Sequence, residues 1–274
     1  MRIGYQGEPG SYSHRVAGQL FPDAEHLGLH SFAEAFDALE RGDVERLTLP
    51  VENSTTGSVL PVLDRLPGSP RHAPVAIVAE YLIEVRHALL GLPGATLEGV
   101  THALSHPQAL AQAEETLLGL SIEPVVRPDT AGAVREVAER HDPTAAALAP
   151  VWAGEEHGLV VLETDVMDRL HNTTRFFVLA PGEPRVDPDD DKTTIVFTTA
   201  HQPGALALAL TELGLRGANL TRIESRPGSE AWTYRFFVDL EHTPGPEGLA
   251  AVIDPPPATL AHLQILGSYR TAKA

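Results

Sequence analysis

The chain has 274 residues, and at about 100–200 residues per domain that length points to two domains. Its apolar fraction of 43% and charged fraction of 21% are those of a soluble globular protein, and the absence of cysteine excludes disulfides, thiolate nucleophiles and cysteine metal sites. A net charge of −17, from 37 acidic against 20 basic residues, repels nucleic acid and anionic membranes, so neither is expected as a partner.

Met1–Tyr5 runs directly into a strand-like pattern without the basic and long apolar regions of a secretion signal. No apolar stretch approaches the ~20 residues needed to span a bilayer, and a cytoplasmic protein is expected. Arg2–Tyr5 reads as a strand and Ser13–Leu20 as a helix. Phe32–Arg41 is a second helix, with Phe32, Phe36 and Leu39 on one face. Leu47–Val51, Val75–Ile83 and Ala88–Leu90 read as strands, Pro107–Leu118 and Ala131–Arg140 as helices. Ala145–Leu148 is a buried strand and Arg175–Leu179 another. Strands alternating with helices predict an α/β layer structure. Pro181–Lys192, with its prolines and acidic run, reads as a solvated linker.

Beyond it the order changes. Thr193–Thr198 is a strand, and Gly204–Leu213 a helix with a Leu206, Leu210, Leu213 stripe. Ala218–Arg226 and Thr233–Leu240 are strands, a short helix is expected around Thr259, and His262–Tyr269 closes the chain as a strand. This is a βαββαβ module, the ferredoxin-like α+β arrangement.

Five polar segments interrupt the first part. Gly7-Glu8-Pro9-Gly10-Ser11-Tyr12-Ser13-His14 joins a strand to a helix start, where backbone N–H groups suit an anion; it reads equally as an ordinary turn. Glu52-Asn53-Ser54-Thr55-Thr56 ends a strand, either as a binding edge for polar groups or as an Asx-type turn. Ser105-His106-Pro107-Gln108 starts a helix that carries Gln108 and Gln112 on one face. His102 and His106 are four apart, but with no third ligand a structural reading is preferred and no metal is expected. Asp129-Thr130-Ala131-Gly132-Ala133 is a second helix start, its small residues open to a ligand and its polar ones suited to capping. Asn172-Thr173-Thr174-Arg175-Phe176 sets hydroxyls beside an arginine, whose rigid fork matches a carboxylate, and it reads equally as a turn with a surface arginine.

In order and over nearly the whole chain, these segments resemble the prephenate dehydratases. GEPGSYS, LPVENSTTGSV, SHPQALAQ, DTAGA and NTTRFFVL are similar to that family's motifs. His201–Leu206, Asn219–Pro227 and Leu266-Gly267-Ser268-Tyr269 are similar to its phenylalanine-binding ACT domain. The resemblance implies two α/β lobes of the type II periplasmic-binding-protein kind facing across a cleft. Lobe one is expected at residues 1–75 plus 165–181 and lobe two at 76–164. A linker over 182–192 and an ACT domain over 193–274 would follow. The segment from Thr243 to Pro257 is a poor match to the second ACT helix.

The reaction implied converts prephenate to phenylpyruvate, water and carbon dioxide with no cofactor. By resemblance Thr174 donates toward the leaving hydroxyl, with Glu52 as the alternative proton source, and Arg175 receives a substrate carboxylate. Gly10, Ser11, Asn53, Ser105, Gln112 and Thr130 would bind the rest of the substrate. L-Phenylalanine would bind at Gly204, Ala205, Leu206, Asn219, Leu220, Glu224, Ser225, Arg226 and Pro227 between paired ACT domains, which implies a homodimer or homotetramer. Arogenate dehydration is the nearest rival, and a non-catalytic amino-acid sensor a rival of another class.

Overall fold

The computed structural model describes residues 1–68, 73–169, 171–228 and 230–273. Its first part contains β1 (Arg2–Gln6), α1 (Tyr12–Leu20), β2 (Glu25–Leu29), α2 (Phe32–Arg41), β3 (Arg46–Asn53), β4 (Gly57–Ser58) and α3 (Leu60–Leu63). Then come β5 (Val75–Glu84), β6 (Ala88–Gly91), β7 (His102–Ser105), α4 (Pro107–Ala111), α5 (Glu114–Gly119) and β8 (Glu123–Val126). The middle continues with α6 (Thr130–Arg140), β9 (Ala145–Ala149), α7 (Val151–Glu156), β10 (Val160–Glu163) and β11 (Thr173–Pro181). The last part is β12 (Lys192–Thr199), α8 (Ala205–Leu215), β13 (Asn219–Pro227), β14 (Tyr234–Glu241), α9 (Pro246–Ile253) and β15 (Leu260–Tyr269).

These elements form two units. One comprises Met1–Gly4, Phe32–Leu82 and Arg175–Ala274, the other Tyr5–Ser31 and Ile83–Thr174. The C-terminal module therefore clusters with elements of the expected first lobe instead of standing apart. A shared sheet is the reason: in the first unit the strands run β13-β14-β12-β15-β5-β11-β3-β1, with β4 paired to β3. The βαββαβ order predicted for the module is present, with β12–β14, β12–β15 and β13–β14 all antiparallel. β15 then meets β5 in parallel at Gly267 and Ile77. A Cβ on Gly267 would lie 2.1 Å from the Ile77 carbonyl oxygen and 2.5 Å from its Cβ. Only glycine lets the two backbones approach this closely.

Two expectations for this unit need correction. The acidic run before β12 is exposed at Asp187 and Asp189 but tied down at its end. Asp190 is buried, its carbonyl accepts from Gly245 N–H at 2.8 Å, and the Asp191 carboxylate accepts from Thr271 N–H (2.7 Å) and Oγ1 (2.9 Å). The second helix of the module lies at Pro246–Ile253, not around Thr259. Pro246 stands in the first turn, where a helix has no partner for the missing N–H. Leu249 and Val252 then join Ile195, Phe197, Leu213 and Val238 in the module's core.

In the second unit the sheet order is β10-β6-β9-β7-β8, with β7 parallel to both β8 and β9. All five residues of β9, AAALA, are buried. Ala145, Ala147 and Ala149 cluster with Val134 and Val137 of α6, while Ala146 and Leu148 cluster with Leu110 and Leu117. A strand covered on both faces reads as an unbroken apolar run. The helix expected over Pro107–Leu118 is interrupted after Gln112. Ala113 takes φ −123°, and α5 starts afresh with Glu115 and Thr116 N–H groups each 3.0 Å from the Asp168 carboxylate. At the end of β1, Gly7 N–H donates to the Leu29 carbonyl beside β2 at 2.9 Å.

Gly267→Ala should destabilise the protein by about 1–3 kcal/mol in urea unfolding, because the added methyl meets backbone. Gly214→Ala, where a Cβ meets nothing within 4 Å of a helical position, should not destabilise and should gain up to about 1 kcal/mol. Equal effects of the two substitutions would contradict the close approach.

Candidate active site

Most of the sequence-predicted substrate residues belong to the second unit. Gly10, at φ +81°, closes the turn into α1; its N–H donates to His14 Nδ1 and its carbonyl accepts from Trp152 Nε1, both at 3.1 Å. Burial lowers the His14 pKa, which suits that nitrogen to accepting. Ser11 is the N-cap of α1: its Oγ accepts from His14 N–H (3.3 Å) and its own N–H donates to Glu8 (3.2 Å). The backbone donors of Gly10 and Ser11 are thus satisfied within the loop. Next to them the Tyr12 hydroxyl accepts from Arg86 N–H (2.9 Å) and donates to its carbonyl (2.7 Å), so this motif fixes the start of the β5–β6 connection.

Ser105 is fully buried, and its hydroxyl donates to the Leu148 carbonyl at 2.6 Å. It tightens β7 against β9. His106 caps α4, its Nδ1 accepting from Gln108 N–H at 3.2 Å. Thr130 is half-buried at the start of α6, above Asp129, whose carboxylate accepts from Gly132 N–H at 2.6 Å. The structure brings two motifs together at Gln112, whose side-chain carbonyl accepts from Asn172 Nδ2 at 2.9 Å. Two residues later comes Thr174, half-buried on β11. Strand alternation directs Thr174 and Arg175 to opposite faces.

In the first unit, β3 and β4 make a tight hairpin in which Glu52 pairs with Ser58 and Asn53 with Gly57. Asn53 Oδ1 accepts from Thr55 N–H (3.0 Å), Thr55 Oγ1 (2.6 Å) and Thr56 N–H (3.2 Å). The Asx turn is therefore the arrangement realised. It holds Glu52, about one-third exposed, at the base of the turn.

Arg175 has an unexpected setting. Only 7% exposed, it directs its fork into the protein. Nε donates to Glu80 at 2.6 Å, Nη1 to Asp239, and Nη2 to the Tyr269 hydroxyl at 2.9 Å. Lys192 Nζ also reaches Glu80, at 3.1 and 3.2 Å, and Thr194 Oγ1 donates to Asp239 at 2.7 Å. Two cations thus face two anions in a buried cluster, with Glu52 at its rim 3.6 Å from Arg175 Nη1. Burial alone would lower the Arg175 pKa, but Asp239, Tyr269 and Glu80 outweigh it and keep the guanidinium charged. A fork so engaged is not open to a substrate carboxylate, and this differs from the role expected of Arg175. Sequence reasoning missed Glu80, Asp239 and Lys192. Glu80 and Asp239 are charges inside apolar strands, and that was the available signal; Lys192 opens β12 directly after the acidic run.

The expected effector residues separate into two places. Gly204, Ala205 and Leu206 line an open groove of about 650 Å³ with Gln202, Tyr234 and His262. The β13 residues do not line it. Asn219 Nδ2 donates to Glu241 (2.8 Å), Leu220 packs against the module's core, and Ser225 and Pro227 are exposed. Glu224 accepts from Ser58 Oγ at 2.8 Å, and Arg226 grips Asp64 with two bonds of 3.0 and 2.7 Å. Arg235 adds a third bond at 3.2 Å, and the Arg226 guanidinium holds the Asp64 carboxyl below the usual carboxylate range. The motif's charged side chains thus fasten β13 to β4 and the end of α3.

Removing one member of a buried ion cluster leaves its partners uncompensated, at about 3–5 kcal/mol. Asp239→Asn should approach that loss in urea unfolding. Glu212→Gln, which breaks a partly exposed pair with Arg216, should cost less than about 1 kcal/mol. Comparable small losses in both variants would contradict the cluster's structural weight.

Residues 3–184 match the family described as prephenate dehydratase. The chain is 38% identical to arogenate dehydratase/prephenate dehydratase 2 of Arabidopsis thaliana, over 98% of this chain and 72% of that one. It is 36% identical to a bifunctional N-acyl-homoserine lactone acylase/prephenate dehydratase of Komagataeibacter europaeus, over 97% and 95% of the two chains. Among solved structures, the prephenate dehydratase of Arthrobacter aurescens in complex with L-Phe superposes with a TM-score of 0.82 at 28% identity, covering 99% of this chain and 90% of that one. The matched span contains the glycine turn, the Glu52 hairpin, the Gln112–Asn172 link and the β11 strand, and the chain belongs to the prephenate dehydratase family.

Proposed function

We propose that this chain converts prephenate to phenylpyruvate, water and carbon dioxide in the cytoplasm, without a cofactor, under the control of L-phenylalanine. The observation that carries the reading is the family match over residues 3–184, which includes Thr174 on β11 and Glu52 on the β3–β4 hairpin. In the reaction the ring carboxylate leaves as carbon dioxide. The electron pair of the broken C–C bond aromatises the ring and expels the C4 hydroxyl, which takes up one proton and departs as water. Hydroxide is a poor leaving group, so a hydrogen-bond donor at that oxygen lowers the barrier most directly. Thr174 is assigned that donor role, with Glu52 as the carboxyl group able to relay the proton. Arg175 acts through the protein, fixing β11 and so the backbone that carries Thr174. Gln112, Asn53 and Thr130 orient the substrate, while Gly10, Ser11 and Ser105 shape the loops around it.

The C-terminal module is read as an ACT domain that binds L-phenylalanine in the groove at Gly204–Leu206, in a homodimer or homotetramer. The L-Phe complex of the Arthrobacter aurescens relative supports this. A second reading, dehydration of arogenate, is favoured by the name of the 38%-identical Arabidopsis relative. Both substrates share the departing hydroxyl and carboxylate.

A discontinuous assay of the purified chain at neutral pH, with prephenate and arogenate separately and with or without phenylalanine, decides between them. Turnover of prephenate that phenylalanine lowers is expected, and Thr174→Ala should reduce kcat by about 10²-fold or more with little change in KM. Inactivity on both compounds would reject the dehydratase reading. Turnover of arogenate alone would select the second.

A further inference from the structure

β13 carries a buried charge that the proposed chemistry has not used. Arg222, 9% exposed, is the buried position in the otherwise accessible strand NLTRIESRP. Its Nη2 donates to Ser58 Oγ at 2.9 Å, and its Nε lies 3.6 Å from Glu52 Oε2. Nε and Nη1 are buried without a hydrogen-bond partner among the described residues. Removing guanidinium N–H groups from water without partners is costly, and Glu52 supplies the nearby counter-charge. Glu52 also lies 3.6 Å from Arg175 Nη1. One carboxylate therefore sits between two guanidinium groups, one on β11 and one on β13.

We infer that Arg222 is a positioning residue for the dehydration: with Arg175 it fixes the Glu52 carboxylate, so the geometry of the catalytic hairpin depends on a strand of the C-terminal module. The inference rests on the reading that Glu52 serves the reaction. Arg222 is assigned no contact with substrate, since its Nε and Nη1 are enclosed by protein. Among the described residues its side chain makes two polar contacts, the ion pair to Glu52 and the hydrogen bond to Ser58. The same strand carries Glu224 and Arg226, whose side chains hold Ser58 and Asp64. A displacement of β13 would be felt at Glu52, because Arg222 and Glu224 both act on Ser58, the residue paired with it across the hairpin.

The test is a double-mutant cycle on the full-length protein, read as kcat and KM together with thermal melting. Arg222→Met should lower kcat about tenfold or more with KM within about twofold, and Arg222→Lys should recover most of the loss. In a Glu52→Gln background the Arg222→Met substitution should change kcat less than about twofold, since the carboxylate it positions is gone. A merely structural role would lower the active fraction by the same factor in both backgrounds, and multiplying losses would overturn the inference. So would wild-type kcat in Arg222→Met. If that variant fails to fold, Arg222→Gln takes its place in the cycle. Wild-type kcat in Glu52→Gln would overturn the inference through its premise. An inactive parent protein would instead mark a failure of the dehydratase reading.

Discussion

A guanidinium group cannot be buried without partners, and the position of Arg175 sets the terms for the first unit. Its side chain sits where water is excluded, so its N–H groups must be matched by acceptors held in place. Glu80 comes from β5, Asp239 from β14 and Tyr269 from β15. All three strands belong to the sheet that contains β11. Gly267 is the device that makes the layer continuous, since a side chain there would push β15 off Ile77. The sheet and the ion cluster are two views of one constraint. Neither alone would join a ferredoxin-like module to an α/β catalytic region so closely.

The functional consequence follows from strand geometry. β11 is anchored through Arg175. The anchor is supplied largely by the C-terminal module. The β3–β4 hairpin and the end of α3 are tied to the same module through Ser58, Glu52 and Asp64, all of them approached by β13 or β14 side chains. A regulator separated by a flexible tether would need a conformational relay. Here the strands of the C-terminal module are bonded directly to β11 and to the β3–β4 hairpin.

Much of this architecture was legible in the sequence. The βαββαβ module announced itself through the alternation of Tyr234, Phe236 and Val238 and the leucine stripe of α8. Buried strands such as Ala145–Ala149 could be recognised as short apolar runs. Local capping was also readable, and Ser11, Asp129 and Asn53 do what their residue types favour. What failed was long-range chemistry. The acidic run ending at Asp191 reads as solvated because its acceptors' donors, Thr271 and Gly245, lie some distance along the chain. α9 was hidden by Pro246, a breaker inside a helix but tolerated in its first turn. The break after Gln112 depends on Asp168, and the fork of Arg175 on carboxylates far away in sequence. Residue type foretold that Arg175 would grip carboxylates. It could not tell whether they belonged to a substrate or to the protein.

The shared ion cluster makes β11 and the C-terminal module one cooperative structure. Native-state hydrogen exchange on the intact chain tests it most directly, at the amides of Val178 in β11, Phe197 in β12 and Val238 in β14. A common opening free energy at all three, falling by the same amount in Asp239→Asn, is the predicted result. Exchange in β12 and β14 at a free energy about 2 kcal/mol or more below that of β11 would show a separable module and contradict the account.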